Sequence, residues 1–190
     1  MATTPVQPGK LRRAAEEIEQ LAGLRVEVIG GALLMSPPRR GKHAGTVRRL
    51  RERIGSQLPV GLGAYESSST ALPDDEDDYA TPDLLVLPSA WEDEDDWLAE
   101  PCGIALAVEV APGPSRINHI ATKTNWYAIA GVPVLLAVDP RKGAWTLHTR
   151  PRDGAYQGVL HGEYGEPVPL PSPLSAELDT SDLPLSAPRS

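Results

Sequence analysis

Ile104-Ala-Leu-Ala-Val-Glu-Val110, then a helical stretch over roughly residues 116–130, then Val134-Leu-Leu-Ala-Val138, decides how this chain folds. Both flanking runs are almost continuously apolar, the pattern of strands covered on two faces. Pro112 and Pro114 end the first run, and Gly131 stands where a helix C′ residue belongs. Strand, helix, strand in this rhythm predicts a βαβ crossover. Asp83-Leu-Leu-Val-Leu87 is a third run of the same kind, and these strands are expected at the centre of the sheet.

Working outward, residues 10–22 place Leu11, Ala14, Ala15, Ile18, Leu21 and Ala22 on one helical face. Arg25-Val-Glu-Val-Ile29 alternates, Gly30-Gly31 supplies a turn, and Ala32-Leu-Leu-Met-Ser36 follows as a partner strand, which together predict a hairpin. After Pro37-Pro38, residues 43–54 set Val47, Leu50 and Ile54 on one face of a strongly basic helix. One strand is expected near residues 62–67, ahead of an acidic loop. Ala144-Trp-Thr-Leu-His148 and residues 155–160, joined by a Pro-Arg-Asp-Gly turn, read as edge strands. The proline-rich tail from Glu166 is expected to lie over the body in extended form or to fray.

At 190 residues the chain suits one domain, with an ordered body over about 10–185 and a flexible N-terminus. No run of 18 apolar residues and no signal-peptide centre is visible, which predicts a soluble, cytoplasmic protein without membrane contact. Cys102 is the only cysteine, so disulfides within the chain and all-cysteine metal cages are excluded, and its thiol is expected in the core. The net charge of -8 speaks against a nucleic-acid partner when taken alone. The acid is concentrated in Asp74-Asp-Glu-Asp-Asp78 and in the Trp91- and Trp97-bearing loop with Glu92-Asp-Glu-Asp-Asp96. The base gathers in Arg39, Arg40, Lys42, Arg48, Arg49, Arg51 and Arg53. That asymmetry fits one basic face able to grip a phosphate backbone through Arg48, Arg49 and Arg51, or merely solvated loops and helix faces.

Three charges fall where apolar residues belong: Asp83 after Pro82, Glu109 inside its apolar run, and Lys123 in Ala121-Thr-Lys-Thr-Asn-Trp-Tyr127. A charge inside such a run costs several kcal/mol unless paired, protonated or metal-bound. Two acids and a lysine in that order suggest metal-assisted phosphodiester hydrolysis, with Asp83, Glu109 and the Val110 carbonyl as oxygen ligands for Mg²⁺ or Mn²⁺. Lys123 would orient the attacking water. His119 and Tyr127, four residues to either side, form one column with it. The bland readings are a strand-opening Pro-Asp, a structural ion pair at Glu109, a snorkelling Lys123 and a capping His43. No nucleophile elbow, zincin motif, P-loop or dinucleotide fingerprint is present.

With these residues in view, the chain resembles the Uma-two family, grouped with restriction endonucleases in the PD-(D/E)XK nuclease superfamily. The matching pieces are Arg25-Val-Glu-Val-Ile29 with its hairpin and Ser36-Pro37, His43 opening a helix, Thr81-Pro-Asp-Leu-Leu85, Ala107-Val-Glu-Val110, Lys123 four before Tyr127, and Ala130-Gly-Val-Pro133 running into Leu136-Ala-Val-Asp-Pro140. The resemblance implies an α/β, restriction-endonuclease-like core: a central mixed β-sheet flanked by helices, with extra antiparallel strands. It implies a metal-dependent DNA endonuclease, DNA being preferred to RNA; cutting both strands of a duplex is simplest with two copies of one active site, which makes a homodimer the expected form. The superfamily's lysine two residues after the second acid is Ala111 here, and in this branch the next helix supplies it, which maps onto Lys123. Two positions depart from the family pattern: His119 replaces a common aspartate and Ala32 a common glutamate. They keep open a catalytically inactive module that binds nucleic acid or protein.

Overall fold

A computed structural model describes residues 8–36, 38–111 and 117–186, without the side chains of residues 117–120. Pro112 and Pro114 lie outside the described residues. The elements are α1 (Lys10–Ala22), β1 (Arg25–Ile29), β2 (Ala32–Ser36), α2 (Gly41–Gly55), β3 (Leu62–Tyr65), β4 (Ser69–Ala71), β5 (Tyr79–Ala80), β6 (Leu84–Pro88), β7 (Leu98–Ala99), β8 (Leu106–Val110), α3 (Ile117–Ala130), β9 (Val134–Asp139), β10 (Ala144–Arg152), β11 (Ala155–Glu163), β12 (Val168–Leu170) and β13 (Ala176–Leu178).

The largest sheet runs β11-β10-β9-β8-β6-β3. Within it β8 and β9 are parallel, joined through α3, and every other neighbouring pair is antiparallel. Its central runs are continuously apolar because both faces are covered. Leu84, Val86, Val108 and Leu136 pack with Val47, Leu50 and Ile54 of α2, while Leu85, Leu87, Ala107 and Leu135 pack with Trp126, Tyr127 and Ala130 of α3. Each fully buried leucine in these layers contributes about 1.5–3 kcal/mol.

A second sheet has the order β2-β1-β5-β4-β7. Alternation along β1 turns Val26 and Val28 toward Ala15 of α1 and Tyr79, which leaves Glu27 on the opposite face. Gly30 and Gly31 adopt φ of 60° and 72°, the left-handed pair a two-residue hairpin turn requires. Their amides donate to the Asp78 carboxylate at 2.5 and 2.9 Å, and Trp126 Nε1 donates to it at 3.3 Å. Asp78, expected in a solvated acidic loop, is therefore a buried clamp between hairpin and α3.

Three other expectations change. The tail neither frays nor merely drapes within the described residues: it forms β12 and β13, and Leu170, Leu174, Leu178 and Leu183 enter the core beneath α2. β10 is flanked on both sides, so only β11 of that hairpin is an edge. Cys102 is exposed, because it sits on a short 3-10 turn (Pro101–Gly103) at the surface. Trp91 is half-buried edge-on against Tyr65 at 5.3 Å, whereas Trp97 stays 45% exposed while touching Tyr79.

Candidate metal and catalytic centre

Asp83 enters β6 from the residue before it, donating its amide to Val108 O at 2.9 Å and accepting Val110 N on Oδ2 at 2.8 Å. The register of β6 with β8 ends at Leu84 opposite Val108, and Asp83 stands at the mouth of that ladder, close enough for its charge to act on Glu109 of β8. Opposite them α3 turns inward. Tyr127 OH donates to Glu109 Oε1 at 2.6 Å, and Lys123 Nζ, one turn earlier, forms an ion pair with the same oxygen. Asp83, Glu109 and Lys123 are 1%, 7% and 5% exposed, so Lys123 does not snorkel.

The residue missed in the sequence is Glu27. It is 2% exposed, and its Oε1 accepts Lys123 Nζ at 2.8 Å and Thr81 N at 2.7 Å. The Lys123 ammonium is thus held between two carboxylates from different sheets. In the sequence Glu27 looks like the polar half of an alternating strand, and nothing local announces that α3 covers it. The one available signal was that its neighbours share the family pattern.

Asp83 has a different set of partners. His43 Nε2, at the start of α2, lies 3.3 Å from Asp83 Oδ2 and 3.1 Å from Val110 O. Arg39 approaches Oδ1 at 2.9 Å and Arg25 at 3.9 Å. Burial raises the Asp83 pKa, but the His43 contact and the two guanidiniums outweigh it and bring the carboxyl down to about 2. Glu109 shifts the other way: burial dominates, Lys123 opposes it, and the charges of Asp83 and Glu27 add to the rise. Burial works against a charged Lys123, yet Glu109 and Glu27 prevail and its pKa is raised, so the ammonium persists. Burial and the Glu109 carboxylate push Tyr127 up as well, which keeps its hydroxyl a donor.

The remaining predicted residues lie away from this cluster or outside what is described. The His119 side chain is outside the described residues, and Ala32 is exposed at the hairpin. Arg48 pairs with Glu52 at 2.5 Å, Arg49 donates to Asp182 O, and Arg51 reaches Ala64 O at 3.4 Å and Glu66 at 3.9 Å. The basic helix is therefore engaged within the molecule, although the Arg48 and Arg51 side chains remain 57% and 55% exposed.

Among the described residues no group of three or more His, Cys, Asp or Glu is arranged to hold a metal. The donors at this centre are two carboxylates and a carbonyl, all hard oxygens of the kind magnesium and manganese take. Asp83 Oδ1 is buried and accepts no hydrogen bond, since Arg39 stands close but misaligned. Its negative charge is met by the Arg39 and Arg25 guanidiniums, which a bound cation would displace or share. His43 Nε2 bridges the same two groups, Asp83 and the Val110 carbonyl, that would share the ion. The oxygen set fits a divalent cation, with His43 as its competitor.

No curated protein matches the chain. Among solved structures it is similar to "a putative nuclease belonging to DUF820" from Anabaena variabilis ATCC 29413, with a TM-score of 0.67 at 18% identity, covering 84% of this chain and 89% of that one. At that identity the likeness shows a shared fold of mixed sheets flanked by helices. A family model described as "Putative restriction endonuclease" spans residues 15–186, from α1 to the end of the described tail, and the chain belongs to that family, Uma2.

Proposed function

We propose that the protein is a divalent-metal-dependent nuclease that hydrolyses phosphodiester bonds in DNA, working in the cytoplasm as a pair of copies. The observation that carries this reading is the burial of Asp83, Glu109 and Lys123 at one end of the central strands, where three unrelated segments bring two acids and an amine together. Asp83, Glu109 and the Val110 carbonyl would hold Mg²⁺ or Mn²⁺. A cation bound there lowers the pKa of a water and offsets phosphate charge. Lys123 directs its ammonium protons at the incoming water or phosphate, and Glu27 fixes the lysine in that aim. Tyr127 holds Glu109 in orientation. Arg48 and Arg51, whose ion pairs with the exposed Glu52 and Glu66 are worth about 0–1 kcal/mol, can exchange those partners for DNA phosphates; Arg49 is the third such contact.

Cleavage of supercoiled plasmid with Mg²⁺ or Mn²⁺ tests the proposal, alongside Asp83→Ala, Glu109→Ala and Lys123→Ala. Each variant is expected to lose about 100-fold in rate or more, a loss typical of removing one preorganised charge. Calorimetric titration with Mn²⁺ should show binding that Asp83→Ala abolishes. A wild type that cuts nothing with any divalent ion and binds no Mn²⁺ overturns it. Salt-sensitive DNA binding indifferent to Asp83→Ala would then identify the non-catalytic module instead.

A further inference from the structure

One apolar row crosses the large sheet from side to side. Following the registers, Leu84 pairs with Val108, Val108 with Leu136, Leu136 with Leu147, and Leu147 with Leu160. Their exposures are 1%, 1%, 0% and 3% for the first four, then 46% at Leu160, where the sheet stops at β11. The core layer therefore runs out to a free edge instead of ending inside it. Val159, on the other face, is 51% exposed.

The backbone of that edge is equally open. Tyr164 N donates to Gly143 O at 2.7 Å, so by alternation Gly162, Leu160 and Gly158 turn their peptide groups toward β10, and Val159, His161 and Glu163 turn theirs outward. Glu163 N is taken by Glu166 Oε2 at 2.8 Å. Val159 and His161 are left presenting amide and carbonyl along the edge. Natural edges are usually blunted by shortness, lysine, proline or a covering segment. β11 is nine residues long and contains neither lysine nor proline, whereas β3, at the opposite edge, has four residues.

We propose that β11 is the interface of a homodimer, two copies pairing antiparallel about a two-fold axis at Leu160 to join their large sheets into one. In this register Val159 of each copy exchanges both backbone hydrogen bonds with His161 of the other, using the peptide groups that face outward. Leu160 meets its own symmetry mate as a non-hydrogen-bonded pair, about 4.5 Å between Cα atoms, so the leucine row continues across the axis. Gly158 of one copy falls opposite Gly162 of the other on Leu160's face, where the Trp145 ring lies over Gly162 and Thr149 and Arg150 lie over Gly158, so these side chains flank the two leucines. Each glycine is already required in the monomer, since a Cβ at Gly162 would strike the Trp145 ring and one at Gly158 the Thr149 hydroxyl. Antiparallel pairing also lays Glu163 and Glu166 of one hairpin toward the Arg150 and Arg152 end of the other. A single strand pair belongs with interfaces below about 1,000 Å², so the dimer is concentration-dependent. This interface rests on the proposed pairing of two copies and gives it a place, but it uses none of the catalytic residues, so a dimer that does not cleave, or cleavage by a monomer, separates the two.

Sedimentation equilibrium from low micromolar to several hundred micromolar should show the mass rising from 20.3 kDa toward twice that value. Leu160→Lys, at an exposed site, is expected to remain monomeric throughout with an unchanged circular dichroism spectrum. Val159→Pro, which removes an outward amide and none of the β10 ladder, should do the same. A Cys102→Ser, Leu160→Cys chain should form a disulfide-linked dimer on mild oxidation, since the Cα separation lies within disulfide range. A wild type that stays monomeric overturns the proposal and leaves the edge for an extended segment of another protein. A dimer untouched by Leu160→Lys and not captured through residue 160 overturns it equally.

Discussion

Lys123→Met deletes one charge and keeps most of the side-chain volume, so its effect isolates what the ammonium does between Glu27 and Glu109. Both carboxylates are buried, and among the described residues they retain, after the change, Thr81 N as donor to Glu27 and Tyr127 OH as donor to Glu109. Removing one member of a buried ion pair costs about 3–5 kcal/mol, because the remaining charge is stranded. For a chain of this size that corresponds to a fall in Tm of about 6–20 °C. The pH dependence supplies a sharper check. In the wild type the Lys123 pKa is raised above 10.5, so its stabilisation is complete below that value and is lost only as pH rises through the folded one, giving no slope near neutrality. Glu109 is raised above 4.5, and the stability linked to its proton is present below 4.5 and lost as pH climbs through the folded value. Without Lys123, the largest influence opposing that rise disappears, and the folded pKa moves higher still. The deficit of the variant must therefore shrink as pH falls from 8 to 5. Urea unfolding followed by circular dichroism at several pH values measures it, and Lys123→Met with Glu109→Gln should recover part of the loss. A deficit under about 1 kcal/mol at pH 8, or one that grows on acidification, would refute the buried-clamp account.

The Asp83 carboxyl, brought down from 3.8 to about 2, contributes stability that is present above 3.8 and lost as pH falls through 2; the shift is worth about 2 kcal/mol. Asp83→Asn should flatten the acid limb of the stability profile between those values, and an unchanged limb would show that His43, Arg39 and Arg25 do not hold the charge. Leu183→Ala should cost about 2–5 kcal/mol in urea unfolding, as for any buried leucine, where a frayed tail would make it neutral. Native protein should react with one equivalent of Ellman's reagent at Cys102 without denaturant; protection until unfolding would contradict its surface position.

The parts legible in the sequence were those whose cause is local. Continuous apolar runs marked β6, β8 and β9 because burial on both faces leaves no polar alternation, and the spacing of Lys123 and Tyr127 placed them on one side of α3. What escaped depended on distant segments. Glu27 reads as the solvent half of an alternating strand until α3 lies over it. Asp78 hides in a run of acids that looks uniformly solvated, although the chain bends there so that one carboxylate meets two hairpin amides. The tail's prolines suggested an extended strap, but the leucines at 170, 174, 178 and 183 are spaced by turns and short strands, not by any single period. Small size and usual burial argued Cys102 inward, and the turn at Pro101 put it outside.

The tail holds α2 along its length. Lys42 Nζ donates to Leu185 O, Arg49 to Asp182 O, and Arg53 to Asp179 O, so both ends of the helix that carries His43 are fastened by the last described residues. A chain made from its N-terminus has Asp83, Glu109 and Lys123 available well before those fasteners emerge from the ribosome. The centre is thus finished by a segment synthesised well after Lys123, and a chain cut short before residue 179 carries every charged residue of the centre while lacking the anchor for the helix that brings His43 to Asp83.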